Sequence, residues 1–259
     1  MNGSLLKSKV FALLALGLLL YFFVVPAVLT HNVVELSEEG KADLISPLTY
    51  STWNYYRKGE YTSPNTPKNV AGDLKKMIAE DSELSVATAP IWYVALEAPN
   101  YPKESFPNGI PVFYHFDGFS GDVHEMNTIN HFIGMDPMKR GAPYLRMLAP
   151  YALIFVALII LYFTLYNNKF LNLLMLIPVA LPFVFIGFYS YWLYWFGHHM
   201  HNWGAFKIKP FMPTVFGDGK VAQFTTHSYP SSGFWILVAI SVLSLLALVS
   251  RKKALKASA

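Results

Sequence analysis

Four long runs of uncharged, mostly apolar residues divide this chain, at 10–29, 148–165, 170–196 and 234–249. A helix crossing a bilayer needs about 20 apolar residues, with a range of about 17–25. The last run reaches that length once Gly233 and its neighbours are included. Between the runs the pattern changes. Residues 91–97 and 110–116 are rich in aromatic and β-branched side chains and predict two strands, joined by a Pro- and Gly-containing turn over 99–109. A helical period predicts helices over 70–83 and 122–132, the second stopped by Gly134 and Pro137. The mixed polarity of 32–46 also predicts helix, and 61–69, dense in Pro, Asn, Ser and Thr, predicts a loop. In the third run Pro178, Pro182 and Gly187 predict a kink or an unwound segment.

The pattern therefore predicts an α-helical membrane protein: four transmembrane helices, with a mixed α+β extracytoplasmic domain between the first and second spans. The expected order is an N-terminal anchor over 1–30, the domain over 31–146, a two-span hairpin over 147–197, a loop over 198–232, a fourth span over 233–250 and a basic tail over 251–259. Val25–Ala27 faintly resembles a signal-peptide cleavage site, but the apolar run is longer than a signal peptide's, so an uncleaved anchor is expected.

Composition agrees, with 54% hydrophobic, 16% aromatic and only 14% charged residues. Charge sets the expected orientation. Lys7 and Lys9 precede the first run, Lys169 lies between the second and third, and Arg251, Lys252, Lys253 and Lys256 follow the fourth. The positive-inside rule places all of these, and both termini, on the cytoplasmic face of a multi-pass inner-membrane protein. Much of the net charge of +4 is this signal, and it gives no reason to expect a nucleic-acid partner. Zero cysteines remove disulfides, thiolate metal sites and iron–sulfur clusters.

Candidate chemistry lies in two His- and Met-containing stretches expected on one face of the membrane: GDVHEMNTINHFIGMDP (121–137) and GHHMHN (197–202). On a helix His124 and His131 are seven positions apart and share a face, but they stand about 10 Å apart along the axis, too far to hold one ion unaided. His131 and Met135 form a closer pair if the helix continues past Gly134, and His198 and His201 form another. His227 and Met212 lie in the same second segment. Imidazole with thioether and no thiolate suits copper, so His124, His131, Met135, His198, His201 and His227 are the candidate ligands. The alternative is that these residues are interfacial or core side chains. The aromatic cluster from Tyr189 to Phe196 is read as an interfacial belt.

The spans contain no Asp, Glu, Lys, Arg or His, which argues against an ion pathway or proton relay. It also argues against a haem held between spans. No CxxCH, GxSxG, GxxxxGK[ST] or HExxH pattern occurs, and no enzyme is expected.

The run GDVHEMNTINHFIGMDPM, with IKPFMPTVFGDGKVAQFTTHSYPSSG ahead of the last span, resembles the small polytopic membrane proteins of clade II nitrous-oxide-reductase gene clusters, of the NosB type. The resemblance runs from about Tyr93 onward and includes the four-span layout. It implies a non-enzymatic inner-membrane accessory protein supporting maturation of, or electron delivery to, an exported copper enzyme, with nitrous oxide reductase the one implied. Two other readings stand beside it: a copper-binding metallochaperone, or a structural subunit of a membrane complex. The partners expected are the lipid bilayer and an exported copper reductase or other membrane subunits. Motif residues His124, Asn130, His131, Met135 and Pro137, with His227, mark the positions of interest.

Overall fold

The computed structural model describes residues 3–39, 88–99, 108–121, 123–202 and 204–257, with backbone alone over 23–39 and at 120, 121, 124, 139, 141–143 and 146. The helix expected over 70–83 and the loop expected over 61–69 lie outside the described residues. So does the part of the expected 32–46 helix beyond residue 39.

Four helical stretches are long and apolar enough to cross a membrane. The first belongs to α1 (Gly3–Glu39) and the second to α3 (Ala142–Leu165). The third joins α4 (Lys169–Leu174) to α5 (Leu176–His198), and the fourth is α6 (Ser232–Lys256). The break between α4 and α5 falls at Met175, one turn before Pro178. Proline has no N–H to offer the carbonyl of residue i−4 and its ring crowds that carbonyl. The expected interruption of the third span is therefore present, displaced to the N-terminal side of the proline. Pro182 is carried inside α5.

Packing in the bundle follows small residues. Ser8, Ala12 and Ala15 of α1 face Ser244 and Ala247 of α6, all buried, and Ser8 Oγ donates to the Ala247 carbonyl at 2.8 Å. Small side chains let helix backbones approach where apolar solvent supplies no hydrophobic drive. The same contact makes α1 and α6 antiparallel, so the N-terminal end of α1 lies beside the C-terminal end of α6. The α3–α4 turn joins them there: the Arg251 guanidinium, fully buried, donates to the Tyr166 carbonyl at 3.0 Å and to the Phe163 carbonyl. It also lies 3.4 Å from the Phe163 ring centroid. A cation thus takes up carbonyls left without helical partners at the C-terminus of α3. Lys7, Lys9, Lys169, Lys252, Lys253 and Lys256 share this basic end.

At the other end sits one antiparallel five-stranded sheet, ordered β3-β2-β1-β5-β4. Its strands are β1 (Trp92–Glu97), β2 (Ile110–Tyr114), β3 (Phe119–Gly121), β4 (Gly217–Val221) and β5 (Phe224–Pro230), and α2 (Val123–Phe132) packs against it. The two predicted strands and the predicted helix are present. The sheet is not confined to the segment between the first two spans, because β4 and β5 come from 198–232. β1 pairs with β5 in register, Val94 opposite Ser228 and Leu96 opposite Thr226. The segment expected to be a loop supplies two of the five strands.

The sheet is tied directly to the bundle. Ala89 N–H donates to the Phe22 carbonyl at 3.1 Å. That carbonyl is left open because Pro26, four residues on, has no N–H. Gly233 N–H donates to the Pro90 carbonyl at 2.7 Å, and a Cβ at Gly233 would stand 2.6 Å from the same oxygen, so α6 starts against the lead into β1. Trp92 fills the corner, its ring 5.2 Å from Phe234 and 5.5 Å from Tyr189.

Candidate functional site

Side chains alternate across a strand, and that alternation divides the candidate residues. Trp92, Val94 and Leu96 of β1 face α2 and α5, as do Phe224, Thr226 and Ser228 of β5, the last two opposite Leu96 and Val94. Tyr93, Ala95 and Glu97 face the other way, with Thr225, His227 and Tyr229 of β5. His227 therefore lies on the outer face of the sheet, while Met135 lines a cavity beneath the inner face. The sheet separates them.

On the outer face His227 sits between two carboxylates. Its Nδ1 is 2.7 Å from Asp218 Oδ1 and its Nε2 is 3.3 Å from Glu97 Oε1. Tyr229 donates its hydroxyl to the same Asp218 oxygen at 2.8 Å. The Asp218 bond, with Glu97 adding to it, raises the His227 pKa, and the His227 and Tyr229 bonds hold the Asp218 carboxyl below its usual value. Both ring nitrogens of His227 are engaged, so the arrangement is an imidazole–carboxylate network.

Beneath the sheet, α2 ends in a Schellman motif. Gly134, at φ 79°, donates its N–H to the His131 carbonyl at 3.0 Å, and Met135 donates to the Asn130 carbonyl at 2.8 Å. The helix does not continue past Gly134, and Met135 turns into the cavity. His131 and Met135 consequently do not share the helical face on which their pairing depended. The His131 ring is half-buried against Phe132, and burial pushes its pKa down. His124 lies on the first turn of α2.

The two His/Met stretches do meet, through other atoms. His201 N–H donates to the Gly134 carbonyl at 2.7 Å, and Gly204 packs on the Ile133–Gly134 peptide. His201 Nε2 stands 3.1 Å from Asp136 Oδ2, while Arg140 Nη1 donates to Asp136 Oδ1 at 2.6 Å. The Arg140 guanidinium lies 5.4 Å from the Trp195 ring centroid of α5. This buried carboxylate, with one cation and one imidazole, locks the end of α2 to the end of α5. Sequence reasoning passed over Asp136 and Arg140, although their i,i+4 spacing is the signal for such a pair.

His198 and His199 close α5. Each ring donates through Nδ1 to the carbonyl four residues back, Tyr194 at 2.8 Å and Trp195 at 2.9 Å, and stacks on that residue's ring. The Trp195 carbonyl also accepts the His199 backbone N–H at 2.9 Å, so the imidazole bonds add a second donor at the helix end. They also fix the tautomer that leaves Nε2 as a lone pair. The two rings point about 100° apart around the helix, His198 half-buried and His199 exposed. Among the described residues no group of three or more His, Asp or Glu is placed to hold a metal ion. The structure thus distributes the proposed copper ligands among a sheet face, a cavity wall, a helix end and a carboxylate contact.

A cavity lies beneath these contacts. About 570 Å³ in volume, it lies under the sheet and α2 and continues down between α3 and α5. Its walls are apolar apart from a few groups, among them Asn130, His115, Tyr189 and Trp192. His115 donates through Nδ1 to the Thr88 carbonyl at 2.7 Å; burial lowers its pKa, opposed by that bond and by Asp117. No family model, no curated protein and no solved structure matches this chain.

Proposed function

We propose that this chain is a non-enzymatic accessory protein of the inner membrane, with both termini cytoplasmic and its sheet exported. In this reading the outer sheet face docks an exported copper enzyme, nitrous oxide reductase being the one implied by the sequence resemblance. One observation carries the reading. Segments 31–146 and 198–232 are joined into a single sheet by the β1–β5 pairing, which presents one aromatic and charged face away from the bundle. Phe216, at 66% exposure, and Tyr229, at 38%, lie there beside the His227–Asp218–Glu97 network. Aromatic anchors ringed by polar groups are the composition of protein interfaces. Scattering of the imidazole and thioether donors is why docking is placed ahead of direct copper carriage.

The experiment is deletion of the gene and complementation with Tyr229→Ala and Phe216→Ala. Deletion should impair reductase activity or its copper content while other respiratory activities persist, and the double variant should complement poorly. Unchanged activity and copper content in the deletion strain contradict the proposal.

A further inference from the structure

The geometry points to a lipid site: the slot between α3 and α5 holds one acyl chain of an anionic phospholipid from the leaflet on the sheet side, its ester carbonyl on the Trp192 indole. This inference does not depend on the docking reading.

Shape comes first. The α5 residues lining the slot run from Ile177 to Phe196 in alternating steps of three and one, a single stripe down the helix. At 1.5 Å per residue that stripe is about 28 Å long, an apolar track with room for an extended hydrocarbon chain.

Access comes second. α5 packs on α6, α6 on α1 and α1 on α3, but α3 and α5 barely meet. Phe155, Val184 and Phe188 line the slot and are also exposed on the bundle surface. The slot therefore opens sideways into the apolar layer, where only membrane molecules are at hand.

Polarity comes third. Trp192 borders the slot with its Nε1 buried and without an acceptor among the described residues. A buried donor left unpaired is costly, so an acceptor belongs there. Trp192 lies one turn before Phe196, near the sheet end, at the depth where interfacial tryptophans meet lipid carbonyls. Above it Ile208 lines the slot, flanked by the exposed Lys207 and Lys209. Two cations beside the mouth suit a phosphate, and no acidic side chain lines the slot among the described residues.

The test is native mass spectrometry of the full chain released from nanodiscs containing equal phosphatidylglycerol and phosphatidylcholine with a small share of an isoprenoid quinone. One phosphatidylglycerol per chain is expected to remain bound. Trp192→Phe, which keeps the ring and removes the N–H, should reduce retention about three- to tenfold. Lys207→Gln with Lys209→Gln should let phosphatidylcholine compete equally. Val184→Trp, at a position 63% exposed, should block the slot and abolish retention. Circular dichroism checks that each variant is folded, and the two surface lysine changes carry the test should Val184→Trp disturb the bundle. Retention of the quinone in place of phospholipid, retention of no lipid, or retention unaffected by Trp192→Phe and the lysine pair overturns the proposal.

Discussion

Trp92 donates its indole N–H to Ser228 Oγ at 2.8 Å, joining two strands whose residues are 136 positions apart in the chain. Ser228 donates in turn to the Val215 carbonyl at 2.8 Å and lies 3.2 Å from the Tyr189 hydroxyl of α5. One small hydroxyl, wholly buried, thus connects β1, β5, the lead into β4 and the bundle.

Replacing Ser228 by Ala removes that hydroxyl and strands the Trp92 donor and the Val215 acceptor in a dry corner. A buried group left unpaired costs about 1–3 kcal/mol, and a loss in that range is expected on thermal unfolding in detergent. Trp92→Phe with Ser228→Ala should cost less than the sum of the single changes, because the stranded donor is then gone. Strict additivity would show that the bond is not made.

Arg251 holds the opposite end. Arg251→Met should cost about 2–3 kcal/mol, since two carbonyls at the end of α3 lose charged donors. Arg251→Lys should fall between, because an ammonium lacks the planar fork that reaches both carbonyls. Thermal melts of the unaltered chain and the two variants test this; equal midpoints for the unaltered chain and Arg251→Met would remove the capping role.

The histidines predict opposite pH behaviour on the two faces of the sheet. His227 has its pKa raised, first by the Asp218 bond, so its contribution to stability is present below the ordinary value of 6.5 and is lost as pH rises through the folded pKa. Its partial exposure makes that contribution small. His115 has its pKa lowered by burial, so the folded state favours the neutral ring, and stability is lost as pH falls below 6.5. Histidine titration followed by nuclear magnetic resonance should place His227 above and His115 below 6.5. The reverse order would contradict the described contacts.

Much of the helical layout was legible because uncharged runs have few alternatives to crossing a bilayer. The strands around 91–97 and 110–114 and the α2 stop at Gly134 were legible for similar reasons, since β-branched pairs and a positive-φ glycine act locally. The β4–β5 hairpin was not. Its sequence is polar, and its turn places Ala222 at φ 53°, where glycine or asparagine would have signalled a turn. Pairing β1 with β5 is a contact between segments more than a hundred residues apart, and no local pattern encodes it. The site shows the same division. Asp136 and Arg140 were readable as an i,i+4 pair, but the third member, His201, arrives from beyond the second and third spans. Whether His227 faces Met135 depends on strand register, and residue types alone do not reveal it.

Both non-membrane segments emerge at one end of the bundle and the basic segments at the other, and the proposed function stands on that arrangement. With zero cysteines in the chain, single introduced cysteines report their side without background. Glu97→Cys and Asp218→Cys, in exposed positions on the two strands that flank β5, should react with a membrane-impermeant maleimide added to intact cells. Asn168→Cys and Lys253→Cys should react only after the membrane is opened. Labelling of Glu97→Cys and Asp218→Cys from opposite sides would contradict the account.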